Sequence, residues 1–142
     1  MSVEENKRVV ERFMDRIVLG RDMDAVDELC ASDVVYRMPV GVAYGRSGLK
    51  AMFTKTFGAF PDCRILPEFH VAERDHVITR ATMRATLTGA FEDRSPTGRK
   101  LVLPQVWDFR LADAVIADIH VSYDTRLLMD LLGIPPTRAV EY

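Results

Sequence analysis

The sequence predicts a single α+β domain, with helices gathered early, a run of antiparallel strands after them and one short helix to close. Two patterns carry this expectation. Before Pro61 apolar residues recur mostly at helical spacing, and from about Arg64 the period falls from 3.6 to 2 and holds to Tyr123. Size agrees: 142 residues without a break in composition make one core, with about 1–134 expected to fold and 135–142 to form a tail.

Ser2 followed by Glu5 forms a capping box, and Val9, Val10, Phe13, Met14, Ile17 and Val18 then mark one stripe of a helix ending at Gly20. Asp22 is positioned to cap a shorter helix that buries Val26, Leu29 and Cys30. Val34 to Met38 reads as a strand, followed by a turn from Val40 to Gly45 and a third helix from Ser47 to Phe60, stopped by Pro61-Asp62. Strands are expected over Arg64–Ala72, His76–Thr88, Lys100–Leu111 and Val115–Tyr123, in an antiparallel sheet covered on one face. Asp124 caps a last helix that Gly133 ends.

Nineteen basic and twenty-one acidic side chains give a net charge of -2, and the arginines are scattered, so no nucleic-acid footprint is present. The first residues lack the apolar run of a secretory signal, and no stretch reaches the roughly eighteen apolar residues that span a bilayer. The expected setting is therefore the cytoplasm, without a membrane partner. Cys30 and Cys63 form no CxxC pair and no histidines share metal-ligand spacing, so neither a metal nor another cofactor is expected.

Several short motifs stand in order: Asp24-Ala25-Val26-Asp27-Glu28-Leu29, Gly45-Arg46-Ser47-Gly48-Leu49-Lys50, Phe60-Pro61-Asp62, Pro96-Thr97-Gly98-Arg99 and the closing Leu-Leu-Gly. With the element order, they resemble the SnoaL-like polyketide cyclase branch of the nuclear transport factor 2-like proteins across nearly the whole chain. That resemblance implies a cone-shaped curved sheet closed by the N-terminal helices around a pocket, and a homodimer. Val35-Tyr36, Ala43-Tyr44-Gly45-Arg46, Phe69-His70-Val71 and Arg80 are similar to segments of limonene epoxide hydrolase in the same superfamily. By that similarity Tyr36 would donate a hydroxyl and Arg80 would position the substrate. The two carboxylates of that enzyme fall on Thr82 and Val121, and Val121 also replaces the acid that SnoaL-like cyclases carry on the final strand.

Alternation places Ile119, Val121 and Tyr123 on one face of the last strand, and Leu103, Gln105 and Trp107 on one face of its neighbour. The resemblance turns these faces to the pocket, so Gln105, Trp107, Val121 and Tyr123 are the expected ligand contacts, with Phe13, Ile17 and Phe53 from the helices. The catalytic candidates are Tyr36, Arg80, His120 and Asp108. Arg80 shares a polar register with Thr82 and Arg84, which the pattern turns to solvent and the resemblance turns inward. Asp108 points outward by alternation and would enter the pocket only through a bulge. His70 and His120 are possible bases, His76 sits at a turn, and Asp124 and Glu68 complete the acids considered. Two functions follow from these residues. One is a cofactor-free acid/base enzyme of cyclase, isomerase or epoxide hydrolase type acting on a hydrophobic small molecule. The other is a domain of the same fold that only binds such a ligand or dimerises. The apolar register Ala81, Met83, Ala85 and Leu87 must be covered by the core or by a second subunit.

Overall fold

Ser2 caps the first helix, its hydroxyl accepting the Glu5 N–H at 3.1 Å, and the stripe Val10, Phe13, Met14, Ile17 and Val18 is fully buried. The computed structural model describes residues 2–90 and 95–133, so the predicted tail lies outside the described residues. Helix α1 spans Val3–Phe13 and runs on as a π-helical stretch, Met14–Leu19. A short α2, Ala25–Leu29, starts two residues later than predicted, with Asp24 at its cap position. Asp22 instead takes Arg16 as a partner at 3.2 Å.

Strand β1, Cys30–Met38, turns over Pro39-Val40 into β2, Gly41–Tyr44, a strand that the sequence had suggested as a turn. Helix α3, Gly45–Ala59, then carries the chain across to β3, Arg64–Glu73, and β4, His76–Thr86. The hairpin-linked β5, Lys100–Ala112, and β6, Val115–Tyr123, follow, and α4, Thr125–Leu132, ends on Gly133 in the left-handed region. Asp124 caps α4, its carboxylate accepting the Arg126 N–H at 2.9 Å.

Among the described residues the six strands order as β2-β1-β6-β5-β4-β3. All pairs are antiparallel except β1 with β6, so the sheet is mixed. The exception follows from connectivity: β3 to β6 form a continuous meander, and β1 enters beside its last strand from the far end of the chain. Such a pairing leaves no local turn signal for a sequence to show.

The inner face of the sheet is apolar and covered by helices. Ala81, Met83 and Ala85 of β4, with Leu87 beyond its end, are at most 6% exposed within one chain, so the core and not a second subunit covers that register. Both ends of α3 are fixed. At its start Gly45 takes φ +74, open to glycine at little cost, and the Arg46 guanidinium donates twice to the Cys30 carbonyl, at 2.9 and 3.0 Å. At its end the Gly89 N–H donates to the Ala59 carbonyl at 2.9 Å, and a side chain at Gly89 would overlap the Gly58 backbone carbonyl. The family-like motifs are therefore joints of the frame. Asp27 pairs with Lys50 at 2.9 Å, Asp62 accepts from the Thr86 N–H and hydroxyl, and Arg99 and Thr97 donate to carbonyls of α4.

Leu49 of α3 is wholly buried, and Leu49→Ala is expected to cost about 2–5 kcal/mol in urea unfolding, as large-to-small core changes do. Arg84→Ala, on the outer sheet face, is expected to stay within about 0.5 kcal/mol of the parent.

Candidate functional site

Strand β5 sets the site because it alternates without interruption from Leu101 to Phe109. Leu103, Gln105 and Trp107 point inward, and their partners on β6 place Tyr123 opposite Gln105 and Val121 opposite Trp107. Beyond β6, Tyr36 of β1 pairs with Ile119 and also faces in. Helix α3 closes this row from above with Met52, Phe53, Lys55 and Thr56, and Leu128 of α4 and Phe60 seal the sides. Together they line a cavity of about 90 Å³.

Of the expected ligand contacts, Phe53, Gln105, Trp107, Val121 and Tyr123 line this cavity, as does the catalytic candidate Tyr36. Phe13 and Ile17 do not. Both are completely buried, and Phe13 supports the floor from behind, its ring 6.5 Å from Trp107, 5.4 Å from Phe109 and 6.1 Å from Phe53. The face of α1 that meets the sheet is spent on this packing.

Arg80, Asp108 and His120 lie on the opposite, outer face, which corrects their expected place in the pocket. Strand β4 keeps its period through Ala81 and Met83, so Arg80 turns to solvent, with Glu68 at 3.8 Å and more than half of its side chain exposed. Asp108 pairs in regular register with His120, and the irregularity in that pair of strands comes later, between Arg110 and Leu111. Asp108 accordingly stays outside, 2.7 Å from His76 Nδ1, and His120 is exposed beside it in a shallow polar groove with Arg37, Arg110 and Asp118. Glu68 is the extra residue of a bulge in β3, where it accepts from the Thr82 hydroxyl at 2.6 Å. His70 faces α1, not the cavity, with Nδ1 2.7 Å from the Thr79 hydroxyl, and partial burial lowers its pKa.

The polar side chains that line the cavity can all donate a hydrogen bond. The Trp107 indole N–H can only donate, and it donates to Gln105 Oε1 at 2.9 Å. That bond fixes the amide, so the Gln105 NH₂ is presented to the cavity with the Met83 sulfur, a weak acceptor, at 3.7 Å. No described residue hydrogen-bonds the Tyr36 hydroxyl, and no described side-chain polar atom is sealed away unsatisfied, so this hydroxyl opens onto the cavity. Burial, with smaller contributions from Tyr123 and Cys63, holds the Tyr36 pKa well above that of a free phenol, and burial also raises Tyr123. Both remain donors at neutral pH. Lys55 adds a cation near the more exposed rim formed by Val40 and Thr56. Among the described residues, no carboxylate or imidazole lines the cavity, and no group of three or more His, Cys, Asp or Glu is placed to hold a metal ion. No helix among them is long and apolar enough to cross a membrane.

Sequence alternation revealed Gln105, Trp107, Val121 and Tyr123, and the same β4 and β5 registers could have revealed Met83 and Leu103. Met52, Lys55, Thr56 and Leu128 carried no such signal, because they reach the cavity only through the docking of α3 and α4.

A cavity between a curved sheet and its covering helices is the architecture shared by the nuclear transport factor 2-like folds. A model of the SnoaL-like polyketide cyclase family matches residues 8–132, and the chain belongs to that family. Comparison with curated proteins found no match. Among solved structures, the chain is similar to a candidate SnoaL-like polyketide cyclase from Jannaschia sp. CCS1, at 23% identity over 94% of both chains and a TM-score of 0.85. It is similar to IdmH, a candidate polyketide cyclase from Streptomyces antibioticus, at 25% identity, 91% of this chain, 99% of that one and a TM-score of 0.75. TerC, crystallised with polyporic acid, is 18% identical over 91% of this chain and 98% of its own, with a TM-score of 0.76.

Burial also raises both thiols, Cys63 to about 11 and Cys30 to about 12, so three buried acids hold their protons longer in the folded chain than in the unfolded one. Their contribution to stability is complete below pH 9 and is lost as pH rises, first from the thiols and then, above pH 10, from Tyr36. Thermal melts across pH 8–11 should show this decline, and Tyr36→Phe should flatten its upper part. An equal slope in both proteins would show that Tyr36 is not held protonated.

Proposed function

We propose that this chain binds a small hydrophobic carbonyl compound and promotes its enolisation or ring closure by hydrogen-bond donation. The observation that carries this reading is that Tyr36 and Gln105 both present donors to the same apolar cavity, with no carboxylate or imidazole beside them among the described residues. As a carbon acid loses a proton, negative charge grows on the carbonyl oxygen, and fixed donors in a dry site stabilise that charge more than they stabilise the neutral ground state. Tyr36 would donate to the oxygen directly, with Gln105 as second donor held by Trp107. The proton would leave to water at the rim or to a basic oxygen of the substrate itself. The family membership and the TerC structure with polyporic acid support a small-molecule occupant.

A second reading, a domain that binds the same ligand without turnover, is favoured by Val121. Its side chain is 2% exposed in the cavity wall beside Trp107, at the position where the family resemblance leads one to expect an acid. The two readings share the donor cavity and differ in whether the bound compound exchanges its α-protons. Deuterium exchange of a bound methyl ketone, faster than in buffer and slowed at least about tenfold by Tyr36→Phe, is expected of the enzyme, since one lost donor of this kind costs at least that much. Exchange no faster than in buffer leaves the binding domain.

A phenol tests the donor cavity without knowledge of the substrate. Bound 4-nitrophenol should ionise at lower pH than in Tyr36→Phe, read from its visible absorbance, because donors favour the anion. Ionisation of the bound phenol at the same pH in both proteins, or at a higher pH in the parent, would contradict the reading.

We also propose that a second copy covers the outer sheet face. Leu66, Phe69, Val71, Val102 and Val106 are each 42–54% exposed there on β3 and β5, with Arg80, Thr82 and Arg84 of β4 between them. A two-fold pairing of this face meets itself, so its apolar rows and its Arg80–Glu68 pair can be matched by their own copies. Sedimentation at micromolar concentration should give a dimer that Phe69→Glu dissociates, and a parent chain that sediments as a monomer would refute this.

A further inference from the structure

We infer that the cavity is built for one ring: it prefers a single-ring aromatic or quinoid compound with an acceptor oxygen at its buried end over fused polycyclic compounds. The inference rests on the donor cavity proposed above and adds to it a limit of size.

Volume is the first ground. About 90 Å³ is less than the roughly 150 Å³ that accepts benzene in an engineered apolar cavity, and far less than the roughly 300 Å³ at which drug-sized pockets begin. A single ring enters with slight movement of the walls, and three fused rings would need the space several times over.

The second ground is that the deep end cannot lengthen. Trp107 is fixed by stacking on Phe109 at 5.8 Å and 19°, by the edge contact with Phe13, by Tyr36 at 6.0 Å and by its hydrogen bond to Gln105. Phe53 is held in turn by Phe13, by Tyr36 at 5.6 Å and by Phe57 at 5.8 Å. Rotating either ring would open voids in a core where Phe13 and Phe109 are wholly buried, at the several-kcal/mol scale of core defects. The adaptable walls are Met38, Met52 and Met83, whose unbranched side chains yield by small rotations, enough for the thickness of a ring and not for two more rings.

The third ground is where the donors sit. Tyr36 and Gln105 are each 5% exposed, beside Trp107 at 1%, whereas Tyr123 is only partly buried. An acceptor oxygen must therefore lead the ring inward, with any larger substituent left at the rim.

Trp107 is the sole tryptophan, so the full-length chain labelled with ¹⁵N gives one indole N–H resonance, which reports directly on this cavity. Titration with acetophenone should move it, with affinity at least about tenfold above that for anthraquinone-2-sulfonate, a difference of roughly 1.4 kcal/mol. Met52→Ala, at the half-buried wall, should narrow that preference. Equal or tighter binding of the three-ring compound at the parent cavity, or no indole shift with acetophenone, would overturn the inference. Ethylbenzene separates the two claims, because it has the size of acetophenone without its acceptor. Ethylbenzene binding as well as acetophenone would remove the donor reading and leave the size limit standing.

Discussion

The hydrogen bond from the Trp107 indole to the Gln105 carbonyl oxygen, two residues apart on one face of β5, decides the chemistry of the cavity. An indole nitrogen has no acceptor role, so the amide cannot flip without leaving two donors face to face in a buried site. The bond exists only because β5 alternates through this stretch, and that alternation is kept by the pairings of β5 with β4 and β6. A one-residue slip would exchange Gln105 and Trp107 for Val106 and Asp108 and turn the apolar face outward.

From this constraint follows a cavity that Gln105 faces with its amide donor, beside the Tyr36 hydroxyl and between walls of rings, methionines and branched aliphatics. Such a site is well suited to an oxygen that gains charge and poorly suited to taking a proton from carbon. Val121 makes the contrast plain, because a carboxylate there would lie beside Trp107 and within the same cavity. The charged side chains of the outer face, Asp108, His120 and Arg80 among them, are separated from the cavity by the thickness of the sheet. They can influence solubility or association, but no proton can pass from them to a ligand directly.

Much of the frame was legible because period and punctuation state it locally. The shift from 3.6 to 2 after Pro61 marked the four strands β3 to β6, Ser2 and Asp124 marked two helix starts, and Gly133 marked the final stop. Strand β2 was hidden because Gly41 and Gly45 flank only three other residues and read as a turn. The parallel pairing of β1 with β6 was hidden because nothing local encodes a partner some eighty residues away. At the site, alternation placed Gln105, Trp107, Val121 and Tyr123, and for Arg80 the same pattern was the better guide than the enzyme it resembled. What alternation could not give was depth: Phe13 lies on the correct stripe but behind the floor, Ile17 on the same stripe is buried without reaching the cavity, and Lys55 and Leu128 arrive from helices whose docking is purely tertiary.

The account stands or falls on whether the cavity donates hydrogen bonds to its ligand. The carbonyl stretch of bound ¹³C-labelled acetophenone measures this directly, because donation weakens the C=O bond and lowers its frequency. The account predicts a lower frequency in the parent chain than in Tyr36→Phe, and a further rise when Gln105→Leu is added. One frequency common to all three proteins would contradict it.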